Sequence, residues 1–150
     1  MRELVVRAMA HEDLPEIMVN ERAAYPIPWS EQVFIESIDG RNDCRVLVDG
    51  KTILGHCVTS SILDEFHLLN LCIAPSHSRQ GLGRYLLKYL IELAASASSS
   101  MFFLEVRASN KIAIELYSSE GFNEVGVRPN YYPVKDGRED AILMTLQLGV

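Results

Sequence analysis

The chain has little of what would place it outside the soluble globular class. Three cysteines, Cys44, Cys57 and Cys72, stand among its 150 residues. They are odd in number and scattered, and no pair has metal-ligand spacing. Neither a disulfide framework nor a cysteine metal site is expected, and a reduced, cytosolic chain accounts for them. No apolar run approaches the roughly 20 residues that span a bilayer. Met1-Arg2-Glu3-Leu4 lacks the design of a signal peptide. Positive charge is also scarce: 14 Lys and Arg against 20 Asp and Glu leave a formal charge of −6. That argues against direct nucleic-acid binding, which uses a basic surface, and suits a basic partner. There is no internal repeat. Ser96-Ala97-Ser98-Ser99-Ser100 is too short for a domain linker, so residues 1–150 are expected to form one domain with one good core.

What is present reads as alternating strands and helices. Leu4-Val5-Val6-Arg7 is β-rich. His11-Glu12-Asp13-Leu14-Pro15 opens a helix, with Pro15 in a first-turn position and Leu14, Ile17 and Met18 at i, i+3, i+4. Ser30 is placed to cap a second helix, with Trp29 and Phe34 as a hydrophobic staple. Asp49-Gly50 between Arg45-Val46-Leu47-Val48 and Thr52–Val58 predicts a hairpin. Phe66–Ala74 predicts a strand, Leu82 to about Ala97 a long helix, and Met101–Arg107 another strand. Ser109 is expected to cap a helix from about Asn110 to Glu120, which Gly121 ends. Phe122–Val127 and Ala141–Leu148 are expected strands joined by an excursion through Asn130-Tyr131-Tyr132-Pro133. The order β-α-α-β-β-β-α-β-α-β-β predicts a layered α/β (α+β) architecture, with helices covering a mixed, mostly antiparallel sheet.

Between the Phe66–Ala74 run and the long helix lies Ser78-Arg79-Gln80-Gly81-Leu82-Gly83-Arg84. A helix start offers unpaired N–H groups and the positive end of the dipole. Glycines let a phosphate oxygen approach without a Cβ in the way, and two arginines add charge. The segment reads as a pyrophosphate cradle. It is not a Walker loop, because no Gly-Lys-Ser/Thr follows, and it is not a G-x-G-x-x-G fingerprint. A solvated turn before a core helix is the plain alternative.

Leu104-Glu105-Val106-Arg107-Ala108-Ser109-Asn110 and Leu116-Tyr117-Ser118-Ser119-Glu120-Gly121-Phe122, taken with that loop, resemble the GNAT superfamily of acetyl-CoA-dependent N-acetyltransferases. The resemblance runs over nearly the whole chain. Pro28-Trp29-Ser30-Glu31, Leu63-Asp64-Glu65 and Asn130-Tyr131-Tyr132-Pro133 followed by Asp136-Gly137-Arg138-Glu139-Asp140-Ala141 are similar to its RimI branch, which acetylates the N-terminal alanine of a small-subunit ribosomal protein. The resemblance implies the GNAT fold, acetyl-CoA as cosubstrate with no metal, and the N-terminus of a basic protein as partner. Ser78 departs from the usual Gln or Arg three residues before the first glycine; backbone donors do not depend on that side chain.

The resemblance also assigns roles. Arg79, Gln80, Gly81, Leu82, Gly83 and Arg84 would hold the pyrophosphate, and Leu71, Cys72 and Ile73 would offer backbone groups to the pantetheine arm. Asn110 would contact the same arm, although a first-turn helix residue is its plain reading. Glu105 would be the general base; from its neighbours alone it is equally a desolvated carboxylate with a raised pKa or a partner of Arg107. Tyr117 would give a proton to the departing thiolate, or serve as a core aromatic. Asp64 and Glu65 are by composition a solvated turn; the resemblance implies that they would hold a basic peptide, in a groove that Tyr131 and Tyr132 would line unless they only pack a β excursion. Cys72 as an acetyl-carrying nucleophile is the weaker mechanism, since no histidine stands at a telling spacing; His11, His56, His67 and His77 form no ligand cluster. Other amine substrates, a non-catalytic acyl-CoA-binding module and a subunit of a larger modification complex remain alternatives.

Overall fold

A computed structural model describes residues 2–149. Its elements are β1 (Leu4–Ala8), α1 (Leu14–Ala24), α2 (Glu31–Asp39), β2 (Asp43–Asp49), β3 (Thr52–Ile62), β4 (Glu65–Ile73), α3 (Leu82–Ser96), β5 (Met101–Arg107), α4 (Lys111–Ser119), β6 (Asn123–Val134) and β7 (Gly137–Gln147). Short 3-10 turns at His11–Asp13 and Pro75–His77 lead into α1 and out of β4. The strands form one mixed sheet in the order β1-β2-β3-β4-β5-β7-β6. The pairs β1–β2, β2–β3, β5–β7 and β6–β7 are antiparallel, and β4–β5 is parallel. The element order and the mostly antiparallel sheet are those expected. No described helix is long and apolar enough to cross a membrane.

The chain forms two compact units. One runs to Ser60 and includes Leu69–Leu86; the other comprises Ser61–Leu68 and everything from Leu87 on. In the first, Leu14, Ile17 and Met18 of α1 and Phe34 of α2 are buried with Val46, Val48, Ile53 and Val58 of the β2–β3 hairpin. The Ser30 Oγ accepts from Val33 N at 3.2 Å, and the Trp29 and Phe34 rings pack 5.2 Å apart, which is the expected cap and staple. Gly55 on β3 has no room for a side chain: a Cβ would lie 2.7 Å from the Cys72 carbonyl oxygen.

The apolar stripe of α1 continues one turn further onto a charge. Glu21 is 1% exposed. Its carboxylate accepts from Trp29 N at 3.0 Å, from His56 Nε2 at 2.9 Å and from Asn70 Nδ2 at 3.3 Å. A buried anion is tolerable only with such donors.

In the second unit, the core is an aromatic chain. Phe66 packs on Phe102, Phe102 on Phe122, and Phe122 on Tyr117, with centroids 4.8, 5.1 and 5.8 Å apart. Strand alternation on β5 buries Phe102, Leu104 and Val106 and leaves Met101, Phe103, Glu105 and Arg107 on the other, half-exposed face.

Two local expectations are corrected. Asn110, not Ser109, caps α4: its Oδ1 accepts from Ala113 N at 3.2 Å, while the Ser109 hydroxyl donates to Glu139 Oε1 at 3.0 Å. Asn130–Pro133 is not an excursion between two short strands but part of β6, paired with β7 up to Val134↔Gly137 after a register shift between Arg128 and Tyr132.

Glu21→Ala leaves three donors unpaired in the first unit. Its unfolding free energy should fall by roughly 3 kcal/mol, read as a lower urea midpoint with an unchanged slope. A midpoint equal to the parent's would show that the carboxylate carries no structural weight.

Candidate active site

The glycine loop follows directly from the turn that ends β4. Ser78 N donates to Pro75 O at 3.2 Å, and Tyr85 N donates to Gly81 O at 3.0 Å, which makes Gly81 the residue capping α3. Arg79 and Gly81 both take positive φ, 61° and 76°. A Cβ on Gly81 would meet nothing within 4 Å, so within the protein this glycine is required by its backbone conformation and not by crowding. Leu82 is 3% exposed and packs with Leu47 and Leu54, against which Leu4, Val6 and Ile73 also pack. Its side chain is therefore an anchor, and only its backbone is free to serve a ligand. Arg79, Gln80 and Arg84 are exposed and Gly83 is half-buried. A fixed helix start with cationic, exposed flanks fits a pyrophosphate.

Just before the loop, β4 presents Leu71, Cys72 and Ile73. The Tyr25 hydroxyl donates to the Leu71 carbonyl, and Ala74 N donates to Leu54 O at 2.8 Å. Cys72 is 1% exposed, with Sγ 3.7 Å from Asn20 O. Burial, aided by the Glu21 charge, pushes its thiol up to about 12. At neutral pH it is a thiol and a poor nucleophile, which counts against an acetyl-cysteine. The expectation that the histidines join no ligand cluster is corrected. Ligand-type atoms of Glu21, His56 and Cys72 lie within 4.8 Å of one another, brought together by folding from distant positions. The Glu21 carboxylate and His56 Nε2 are bonded to each other there, and Cys72 holds its proton.

The second unit holds the acid–base candidates. The Glu105 Oε1 lies 3.2 Å from Arg128 Nε, and the Glu105 side chain is 31% exposed. Its partner is Arg128 and not Arg107. Arg107 instead donates to Pro133 O at 2.9 Å, lies 3.6 Å from Glu139 Oε1 and places its guanidinium 4.6 Å from the centre of the Tyr132 ring. Tyr131 and Tyr132 meet edge to face at 5.0 Å. Burial, with the charge of Glu105 next in weight, pushes the Tyr132 hydroxyl up to about 12. Glu105, Tyr131 and Tyr132 thus belong to one cluster with Arg107, Arg128 and Glu139.

Tyr117 ends the aromatic chain and is 7% exposed. Burial, then the nearby Tyr132, raises its pKa well above that of an ordinary phenol. The Tyr117 hydroxyl therefore keeps its proton through the neutral and mildly alkaline range. Asn110 spends its Oδ1 on the α4 cap, which leaves its amide NH2 to donate.

Asp64 and Glu65 are not brought to the tyrosines. Glu65 pairs in register with Met101, at the opposite end of β5 from Arg107, and its carboxylate lies 3.0 Å from His67 Nε2. Asp64 accepts from the Ser100 hydroxyl, and its carbonyl accepts from Ser100 N at 2.7 Å. Four positions of strand, roughly 13 Å, separate Met101 from Glu105. The expected shared groove does not match this placement. Arg128 and Glu139 were not singled out from the sequence, and Arg107 only as a possible partner of Glu105. Their signal was faint: cations and a carboxylate recurring in strands that also carry the two tyrosines.

Residues 12–122 match the model of the acetyltransferase (GNAT) family. The chain belongs to the GNAT family. Among curated relatives of this GNAT chain is the [ribosomal protein bS18]-alanine N-acetyltransferase of Escherichia coli K12. It is 41% identical over 145 residues, covering 97% of this chain and 98% of the relative. The Haemophilus influenzae protein of the same name is 35% identical over 144 residues, with 95% and 96% coverage. The crystal structure of the ribosomal-protein-S18-alanine N-acetyltransferase from Escherichia coli superposes with a TM-score of 0.91 at 40% identity, covering 99% of this chain and 96% of that one. Arabidopsis thaliana NAA60, solved in complex with acetyl-CoA, gives a TM-score of 0.87 over 97% and 98% of the two chains; at 17% identity the likeness is one of fold.

Tyr117→Phe keeps the ring and removes the proton. If Tyr117 protonates the leaving group, turnover should fall on the order of a hundredfold with little change in thermal stability. Because its pKa is raised, the parent's kcat should show no descending limb from this group below about pH 10. Parent-like turnover in the variant would exclude the role.

Proposed function

We propose that this chain transfers acetyl from acetyl-CoA to the N-terminal α-amino group of a protein, and that the substrate is the N-terminal alanine of the small-subunit ribosomal protein bS18. The observation that carries the reading is the near full-length likeness to the Escherichia coli enzyme of that name; a half-exposed carboxylate at Glu105 and a phenol at Tyr117 that keeps its proton support it. The Arg79–Arg84 loop binds the pyrophosphate of the cosubstrate through backbone N–H groups and arginine charge. Leu71, Cys72 and Ile73 pair with the amide-bearing arm through main-chain groups, and a backbone N–H there stabilises the oxyanion. The Asn110 amide donates to the same arm.

Much of a free α-amino group, with a pKa near about 8, is protonated at neutral pH. Glu105 accepts that proton, directly or through a water. The amine then attacks the thioester carbon within a ternary complex, the C–S bond breaks, the thiolate takes the Tyr117 proton, and the second proton shed by the new amide nitrogen restores Tyr117, directly or through water. Tyr131 and Tyr132 contact the peptide. A basic peptide suits a chain of net charge −6. The site of action is the cytoplasm.

Two peptides decide the substrate. One begins with a free Ala-Arg and contains no lysine; the other has a blocked N-terminus and one free lysine. Mass spectrometry after incubation with acetyl-CoA should find acetyl on the first alone. Acetyl on the second alone would assign a lysine acetyltransferase, and on neither, with acetyl-CoA bound, a small-amine enzyme or a binding module. Glu105→Gln should lower kcat on the first peptide about a hundredfold while acetyl-CoA affinity stays within twofold. Unchanged turnover between pH 6 and 9 would remove Glu105 from the mechanism.

A further inference from the structure

The carboxylate read as the general base is already occupied. Arg128 Nε lies 3.2 Å from Glu105 Oε1, and the two side chains are 55% and 31% exposed. The arrangement follows from the register of three strands. Arg128 on β6 and Arg107 on β5 both face Ala141 of β7, and Glu105 faces Leu143. Directly paired residues project to one face of a sheet, so both arginines and Glu105 share a face. Arg128 reaches diagonally past the short Ala141 side chain to Glu105. Arg107, on the same strand as Glu105, is held elsewhere by Pro133 O, Glu139 and the Tyr132 ring. The carboxylate of Glu139 is shared between Arg107 and the Ser109 hydroxyl.

Arg128, like Arg107, has an aromatic ring beside its carboxylate partner, but its carboxylate is that of Glu105. Its guanidinium carbon stands 5.6 Å from the centre of the Tyr131 ring, within cation–π range. That ring belongs to a segment whose backbone makes three hydrogen bonds with two side chains. Arg138 donates to Asn130 O at 2.8 Å and to Tyr131 O at 2.7 Å, and Asn130 N donates to Asp140 Oδ1 at 2.9 Å. Arg128 is thus a long, half-exposed cation between a carboxylate and a fixed aromatic face.

We propose that Arg128 is a positioning residue that exchanges with the substrate: it pairs with Glu105 in the free enzyme, and the incoming peptide ammonium takes its place on Glu105 while the guanidinium keeps its contact with the Tyr131 ring. This rests on the assignment of Glu105 as the group that receives the substrate amine. The ammonium meets a carboxylate already oriented by its pairing. The displaced cation keeps an aromatic partner, so the exchange swaps one half-exposed ion pair for another. A substrate lacking the ammonium has nothing to offer Glu105 and leaves Arg128 in place.

The test is the dissociation constant of the free Ala-Arg peptide, measured by titration calorimetry with coenzyme A present. Arg128→Gln removes the internal competitor and should tighten binding about two- to fivefold, the scale of an exposed ion pair. Arg128→Lys keeps a cation and should stay near the parent. In a Glu105→Gln background, Arg128→Gln should change nothing further. The same peptide with an acetylated N-terminus should bind parent and Arg128→Gln alike. Weaker or unchanged binding of the free peptide by Arg128→Gln would overturn the proposal, and so would equal tightening for the acetylated peptide or in the Glu105→Gln background. The basis fails separately: full turnover by Glu105→Gln would show that Glu105 is not the base, whatever the binding cycle reads.

Discussion

Glu21 is an anion placed where water cannot reach it, and the first unit is arranged around the donors that make this tolerable. They come from the segment that leads into α2, from β3 and from β4. One turn beyond Glu21, the Tyr25 hydroxyl holds the Leu71 carbonyl. The end of α1 is thereby bound to β4 at two adjacent points, Asn70 and Leu71. The strand segment read as the support for the cosubstrate's arm is held by side-chain bonds as well as by the sheet. The close approach of β3 at Gly55 presses on the same stretch from another side. Loss of one of these groups would loosen the backbone that must present hydrogen-bonding groups to a ligand.

The second unit separates its work by strand parity. One face of β5 feeds the aromatic chain from Phe66 to Tyr117, and the other carries Glu105 and Arg107 among the tyrosines of β6. The alternation leaves the Glu105 carboxylate half-exposed, while Tyr117 of α4 is buried at the end of the stack. Each environment suits its group. Desolvation keeps the phenol protonated, and the carboxylate stays partly exposed.

Much of this was legible in the chain. Apolar runs of strand length, Asp49-Gly50 and the Trp29–Phe34 spacing act locally, so the strands, the hairpin and the staple appear where periodicity and turn chemistry place them. The glycine loop was readable for the same reason. What escaped depends on pairing across distance. His56 and Asn70 lie 35 and 49 positions from Glu21, and only folding shows that they share its carboxylate. The charge on the buried stripe of α1 was the one local sign. Ser109 and Asn110 are both good caps, and the choice turned on Glu139, which offers Ser109 another partner. Arg128 faces Ala141 because β6 shifts register between Glu124 and Gly126, and such an irregularity leaves no mark in an alternation pattern. The acidic pair at Asp64 and Glu65 carried the right charge for a basic ligand, but strand register places it beside Met101.

The parallel pairing of β4 with β5 has a consequence for how the molecule comes to exist. Hairpins such as β2–β3 and β6–β7 close over a few residues and form early. The start of β4 meets the start of β5 only after a long connection, with Asp64 and Ser100 joined across 36 positions. Closing that span costs chain entropy before any contact rewards it. The glycine loop lies within the connection. During folding, the glycine turn belongs to the part of the chain that waits longest for a fixed place. A ligand that binds only the finished turn adds to the stability of the folded state without hastening its nucleation.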